Sequence, residues 1–185
     1  MGFPDETMDE ILTPRLRLRA ARPEDARPLF EVFRDPRAMR YWSTPPHESL
    51  EATRRFVQAM IEAPGDRSCD FVIEFEGRAV GKAGCWRLPE VGYILHPDLW
   101  GQGLAREALE AAIGCVFERF DVAALTADVD PRNTRSLALL HRLGFREIRR
   151  AKRTWRIAGE WCDSVYLELP RPGDRPAGAM HAPGE

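Results

Sequence analysis

Between Pro97 and Leu109 the chain reads Pro97-Asp98-Leu99-Trp100-Gly101-Gln102-Gly103-Leu104-Ala105-Arg106-Glu107-Ala108-Leu109. An apolar strand, Val91 to Leu95, runs into a tight glycine loop, and the loop opens a strong helix. Two glycines and an alanine within five residues remove side chains where something must approach the backbone closely. The first amides of a helix have no internal partners and sit at the positive end of its dipole. Together these make an anion site, and phosphate is the usual occupant. Two familiar phosphate loops are excluded. No Gly-x-x-x-x-Gly-Lys-Ser/Thr string exists, and the dinucleotide fingerprint fails at its third glycine, which is Arg106.

The elements around this loop follow from apolar spacing. Leu12 to Ala20 alternates, with Leu16 and Leu18 on one side and Arg15, Arg17 and Arg19 on the other, which predicts a half-buried strand. Pro23-Glu24-Asp25 opens a helix over 23–34, ended by Asp35-Pro36. A second helix spans 48–63 and stops at Pro64-Gly65. Three strands follow at 71–75, 79–86 and 91–95, the first two joined by a Glu76-Gly77 turn. A helix at 103–119, a strand at 124–129 and a helix from Asn133 or Thr134 to Leu143 lead to Gly144. Strands near 146–155 and 162–169 close the series. The order β-α-α-β-β-β-α-β-α-β-β puts a three-strand meander before a β-α-β crossover. That predicts an α/β (α+β) fold, a mixed and mostly antiparallel sheet of about seven strands flanked by about four helices.

Residues 1–11 read as a loose lead-in, 12–170 as one domain, and 171–185, rich in Pro, Gly and Ala, as a disordered tail. Net charge −2 and a pI near 6.1 argue against nucleic acid as a partner. A basic run at Arg146, Arg149, Arg150, Lys152 and Arg153 reads first as a solvated edge strand or hairpin. Four cysteines, at 69, 85, 115 and 162, and four scattered histidines lack zinc spacing, so no metal is expected. With no secretory signal and no long apolar run, the reading is a cytoplasmic protein without disulfides or membrane contact.

Five strings in order resemble the GNAT superfamily of acyl-CoA N-acyltransferases, and more narrowly its RimJ/RimL-type branch. Leu12-Thr13-Pro14-Arg15-Leu16-Arg17-Leu18-Arg19 resembles that branch's opening strand. Glu90-Val91-Gly92-Tyr93-Ile94-Leu95 resembles its "E-I-G-Y-x-L" strand. Trp100-Gly101-Gln102-Gly103-Leu104-Ala105, followed by Glu107-Ala108, resembles its glycine loop. Asn133-Thr134-Arg135-Ser136 and Leu143-Gly144-Phe145 resemble its "N-x-x-S … L-G-F" helix, and Asp163 fits the last strand. The likeness covers residues 12–169.

What the resemblance implies is an acetyl-CoA-dependent N-acetyltransferase that acts on a protein N-terminal or small-molecule amine, with a homodimer compatible with it. Two central strands would splay apart, freeing backbone groups near Ile94 and Leu95 for the pantetheine arm. Amides from Gly101 through Gln102, Gly103, Leu104 and Ala105 to Arg106 would hold the pyrophosphate, and the N–H of Leu95 would stabilise the oxyanion. Trp100 is either part of that loop site or packing beneath it. Glu90 is either the base or a surface carboxylate at a strand end. Ser136 either sits near the thiol or caps its helix. Asn133 is a helix cap, a partner of the CoA amide arm, or both. Many superfamily members carry a tyrosine where this chain has Leu140, which leaves protonation of the thiolate to Ser136 or water. Tyr41, Trp42 and Tyr93 line the acceptor pocket or belong to the core, and His96 and His141 read as structural or solvent-facing. The helices at 23–34 and 48–63 and the hairpin near Arg156–Trp161 would form the acceptor pocket. Two competing readings are an acyl-CoA-binding regulatory module without turnover and a nucleotide-binding protein. Arg106 and the meander weigh against the second.

Overall fold

Residues 10–157 and 159–173 are described by the structure, a computed structural model. In chain order the elements are β1 (Ile11–Leu12), β2 (Leu16–Arg19), α1 (Ala26–Phe33), α2 (Pro36–Met39), α3 (Leu50–Ile61), β3 (Cys69–Phe75), β4 (Arg78–Arg87), β5 (Glu90–Leu95), α4 (Leu104–Arg119), β6 (Ala124–Val129), α5 (Thr134–Arg142), β7 (Arg146–Ile157) and β8 (Glu160–Pro170). One sheet holds all the strands in the order β1-β2-β3-β4-β5-β6-β8-β7, antiparallel throughout except where β5 meets β6.

The mixed, mostly antiparallel architecture is the one the sequence predicts, with one more strand and one more helix. The extra strand arises because the 12–20 segment breaks at Thr13-Pro14-Arg15. Proline cannot donate to a ladder, and the chain folds back so that Ile11 pairs with Leu18. The extra helix is short. Asp35 ends α1 and caps α2, accepting from the Arg37 amide at 2.8 Å, with Pro36 in the first position. Arg19 also departs from the alternation. It is buried rather than solvated, with its guanidinium on both Asp25 oxygens (2.7 and 2.8 Å) and on Glu74 (2.7 Å). This bidentate arrangement fixes β2 to β3 and to the turn before α1.

Helices cover both faces of the sheet. On one face α4 and α5 pack on Leu16, Leu18, Phe71, Ile73, Leu125 and Leu167. On the other, α1 and α3 bring Leu29, Val32, Phe33, Val57 and Met60 against Val72 and Ile94. A fully buried side chain such as Phe71 contributes about 2 kcal/mol. At the chain ends, residues 1–9 and 174–185 of the expected lead-in and tail lie outside the described residues. Glu10 pairs with Arg17, and Arg171 bonds the carbonyls of Phe117 in the last turn of α4 and of Phe120 and Val122 just past it. Among the described residues no helix is long and apolar enough to cross a membrane.

Candidate active site

β5 and β6 share a single paired position, Glu90 with Thr126, where the Thr126 amide donates to Pro89 O at 3.0 Å. Beyond it the two strands part. The antiparallel β4–β5 ladder decides which groups face the opening. His96 N donates to Val80 O at 2.8 Å. Alternation along the ladder then directs the amide and carbonyl of Ile94 at Lys82, and those of Tyr93 and Leu95 toward β6. No strand stands opposite them there. Leu95 O is taken by the Trp100 indole N–H at 2.9 Å, and the Leu95 amide is left directed into the gap. Of Ile94 and Leu95, the Leu95 amide faces the gap, while the amide and carbonyl of Ile94 face β4. Gly81 allows β4 and β5 to pass this closely, since a β-carbon there would stand 2.1 Å from Ile94 O.

The glycine loop begins just past this strand. Gly101 and Gly103 have φ of +78° and +79°, a region in which side chains are strained. Nothing of the protein lies within 4 Å of a β-carbon at Gly101, so that side is open to a ligand. Gly103 is the N-cap of α4 and offers no side chain to its first amides. The first backbone bond back to the cap comes from Glu107, at 3.1 Å, and the amides of Leu104, Ala105 and Arg106 have no place in the helical ladder. A clamp holds the loop from outside. Arg15 donates to Gln102 O at 2.8 Å and to Glu107 Oε2 at 2.7 Å, and the Thr13 hydroxyl donates to Glu107 Oε1 at 2.6 Å. Burial pushes the Glu107 carboxyl up, but the bonds from Thr13 and Arg15 outweigh it and hold the carboxyl below its usual range. The sequence presents Thr13 and Arg15 in one string and Glu107 in another, and the structure makes them one unit.

A cleft of about 2190 Å³ runs from this loop through the gap to the α3 side. It is lined by every candidate residue except Gln102, which turns its side chain to Asp98 O at 3.4 Å. Asn133 caps α5, accepting from the Ser136 amide at 3.2 Å. The Ser136 hydroxyl is 2.7 Å from the Tyr93 hydroxyl, in a bond that spans from α5 to β5. Leu140, where the resemblance expects a tyrosine, is buried in the main core. A phenol thus reaches the cleft from β5 instead, and burial raises its pKa against the opposing effect of the Ser136 bond. Trp100 is partly exposed, under the Arg135 guanidinium at 5.4 Å. Glu90 stands at the strand junction. Burial, then the nearby Asp128 charge, raises its pKa, and Asp128 itself accepts from the Trp155 indole at 2.8 Å.

Side chains make the α3 side of the cleft. Phe56 stacks on Trp86 with centroids 6.1 Å apart, and Lys82, buried, pairs with Asp70 at 2.7 Å while its ammonium lies 5.6 Å from the Trp42 ring. Tyr41 and Trp42 line the cleft as the sequence reading allows. His47 bonds Thr53 at 2.8 Å, and burial lowers its pKa. Phe56, Lys82 and Trp86 have no motif around them, and only the apolar character of 48–63 and 79–86 hinted at their placement. His96 accepts from the Asp98 amide and His141 bonds Phe145 O, both structural roles. An Arg132 bridge to Asp130 and Glu160, 2.6 Å each, ties the β7–β8 hairpin to the loop before α5.

Residues 15–146 match the profile of the acetyltransferase (GNAT) domain. An uncharacterised N-acetyltransferase, p20, of Bacillus licheniformis is 29% identical over 150 residues, covering 76% of this chain and 84% of that one. Spermidine N(1)-acetyltransferase of Escherichia coli K12 is 27% identical over 139 residues, 70% of this chain and 72% of that one. A solved structure of RimL, a ribosomal L7/L12 alpha-N-protein acetyltransferase in complex with coenzyme A, superposes with a TM-score of 0.78 at 21% identity, over 88% of this chain and 98% of that one.

Proposed function

The chain belongs to the GNAT acetyltransferase family, and we propose that it moves an acetyl group from acetyl-CoA to a primary amine by direct attack with both substrates bound. Acetyl-CoA supplies a thioester whose acetyl carbon accepts the amine. The open amides of Leu104, Ala105 and Arg106 beyond Gly101 and Gly103 suit its pyrophosphate, with Trp100 shaping the loop and Asn133 beside the arm. In the gap, the Leu95 N–H is the donor that would stabilise negative charge on the acetyl oxygen.

The amine attacks only when neutral. An α-amine titrates near 7.7–8.0 and a lysine near 10.4, so an α-amine requires only a weak base. Glu90 takes that role. Glu90 and Leu95 are five residues apart on β5, about 16 Å at the usual strand rise, so the proton travels through water. On the leaving side the Ser136 hydroxyl, held by its bond to the neutral Tyr93 phenol, donates a hydrogen bond to the departing sulfur, and the proton lost by the amine returns to that sulfur through water. The observation that carries this reading is the meeting, in one cleft, of unpaired helix amides, an unpaired strand edge and the Tyr93–Ser136 pair.

A thermal-shift titration tests it first. Acetyl-CoA and CoA raise the melting temperature and NAD does not, because only a ligand of the native state stabilises it. Absence of a shift with either CoA species refutes the assignment. A pH–rate profile then tests Glu90. A base must be ionised, so kcat/KM rises with pH through its raised pKa, above the ordinary value of 4.5. Glu90→Gln removes that acidic limb and lowers activity by about 100-fold. A limb that persists in the variant moves the base elsewhere.

A further inference from the structure

The two ends of the sheet are finished differently. β1 is two residues long, whereas β7 runs for twelve and none of them is buried. Among the described residues no further strand stands beyond β7, and its ladder with β8 shifts register between Glu147 and Arg149 and between Ala151 and Trp155, where Arg153 has φ +53° and its amide donates to Asp163 Oδ1 at 2.9 Å. Bulges and a charge or two are enough to discourage edge-to-edge pairing of such a strand. β7 carries Arg146, Arg149, Arg150, Lys152, Arg153 and Arg156 against one acid, Glu147, in a chain whose net charge is −2. Among the described residues only Arg150 has a carboxylate partner, Glu147 at 2.7 Å. Arg149 lies 4.2 Å over the Tyr166 ring and Arg153 5.0 Å over that of Trp161. Stacking holds each guanidinium in place and leaves its N–H edges for carboxylates.

This strand leads to the cleft. Trp155 and Ile157, at its far end, line the cleft, and from there to Arg146 an extended chain covers about 30 Å. Resting on the acetyltransferase reading above, we infer that the acceptor amine is the N-terminus of an acidic polypeptide. Its first residues enter past Trp155 and Ile157, and the acidic stretch behind them lies along β7. The six cations along the edge supply affinity and select the charge. A polyamine carries the wrong sign for this surface, and a nucleic acid brings no aliphatic amine to the cleft.

The test uses peptides that share their opening residues and then continue with Asp/Glu, Gly/Ser or Lys/Arg, alongside a single-residue amide. The acidic peptide is expected to exceed the basic one about tenfold in kcat/KM at low salt, with the advantage shrinking as salt rises. The triple variant Arg146→Glu, Arg149→Glu, Lys152→Glu loses that preference, while its rate on the single-residue amide stays unchanged and so reports an intact fold and site. The pair Arg146→Glu, Lys152→Glu repeats the test without disturbing Tyr166. Equal use of all tails overturns the inference and leaves the acetyltransferase reading standing. Acetylation of spermidine in preference to every peptide, or competition by single-stranded RNA as strong as that of the acidic peptide, also overturns it. A protein that binds acetyl-CoA and acetylates no amine sinks both readings.

Discussion

Around the glycine loop and the β5–β6 gap the cleft wall is main chain: the amides of Leu104 to Arg106, the amide of Leu95, and glycines at positive φ. Across from it, near α3, the wall is Trp42, Phe56, Lys82 and Trp86, held by stacking and by the Asp70 pair. The difference teaches why one side could be read in the sequence and the other could not. A ligand bound through backbone demands particular backbone shapes, and only a few residues satisfy them. A ligand bound through side chains can be met by many residues at many spacings, which leaves no string to find.

Breaking the backbone side is expected to have the largest effect. Gly81→Ala places a β-carbon 2.1 Å from Ile94 O, so β5 must shift. The loss is about 3 kcal/mol of stability by urea unfolding, and a change within experimental error would show that β5 is not held by this contact. Next is Gly103→Ala, at φ +79°. Strain of about 1 kcal/mol and a displaced loop weaken CoA binding about tenfold, while KM for the amine is unchanged. Calorimetry with CoA checks it, and unaltered affinity would detach the loop from the ligand. Trp86→Ala sharpens the contrast from the other side. Trp86 is 42% exposed, so losing its stack on Phe56 raises KM for the amine only about threefold and leaves CoA affinity alone. Equal movement of both constants would mean that the two walls are not separate.

The sheet, the helices and the glycine loop were legible because alternation, caps and glycines act locally. Asn133 was readable as a cap for that reason. What escaped required knowledge of neighbours. Arg19 looks like a solvent-facing member of an alternating strand until Asp25 and Glu74 are seen around it. Tyr93 reads as core or as pocket, and only the packing of α5 against β5 brings it to Ser136. Gln102 sits inside the loop string and yet faces away from the cleft, because Arg15 holds its carbonyl from the outside.

The junction at Glu90 and Thr126 means that the sheet is stitched together at one point in its middle. Beyond that stitch the Leu95 amide faces no partner strand. A bound pantetheine would fill the seam as a surrogate strand. On the proposed reading, the supply of acyl-CoA would set more than the rate: it would also set how fast seam amides exchange with solvent and how long each copy survives proteolysis in a cell.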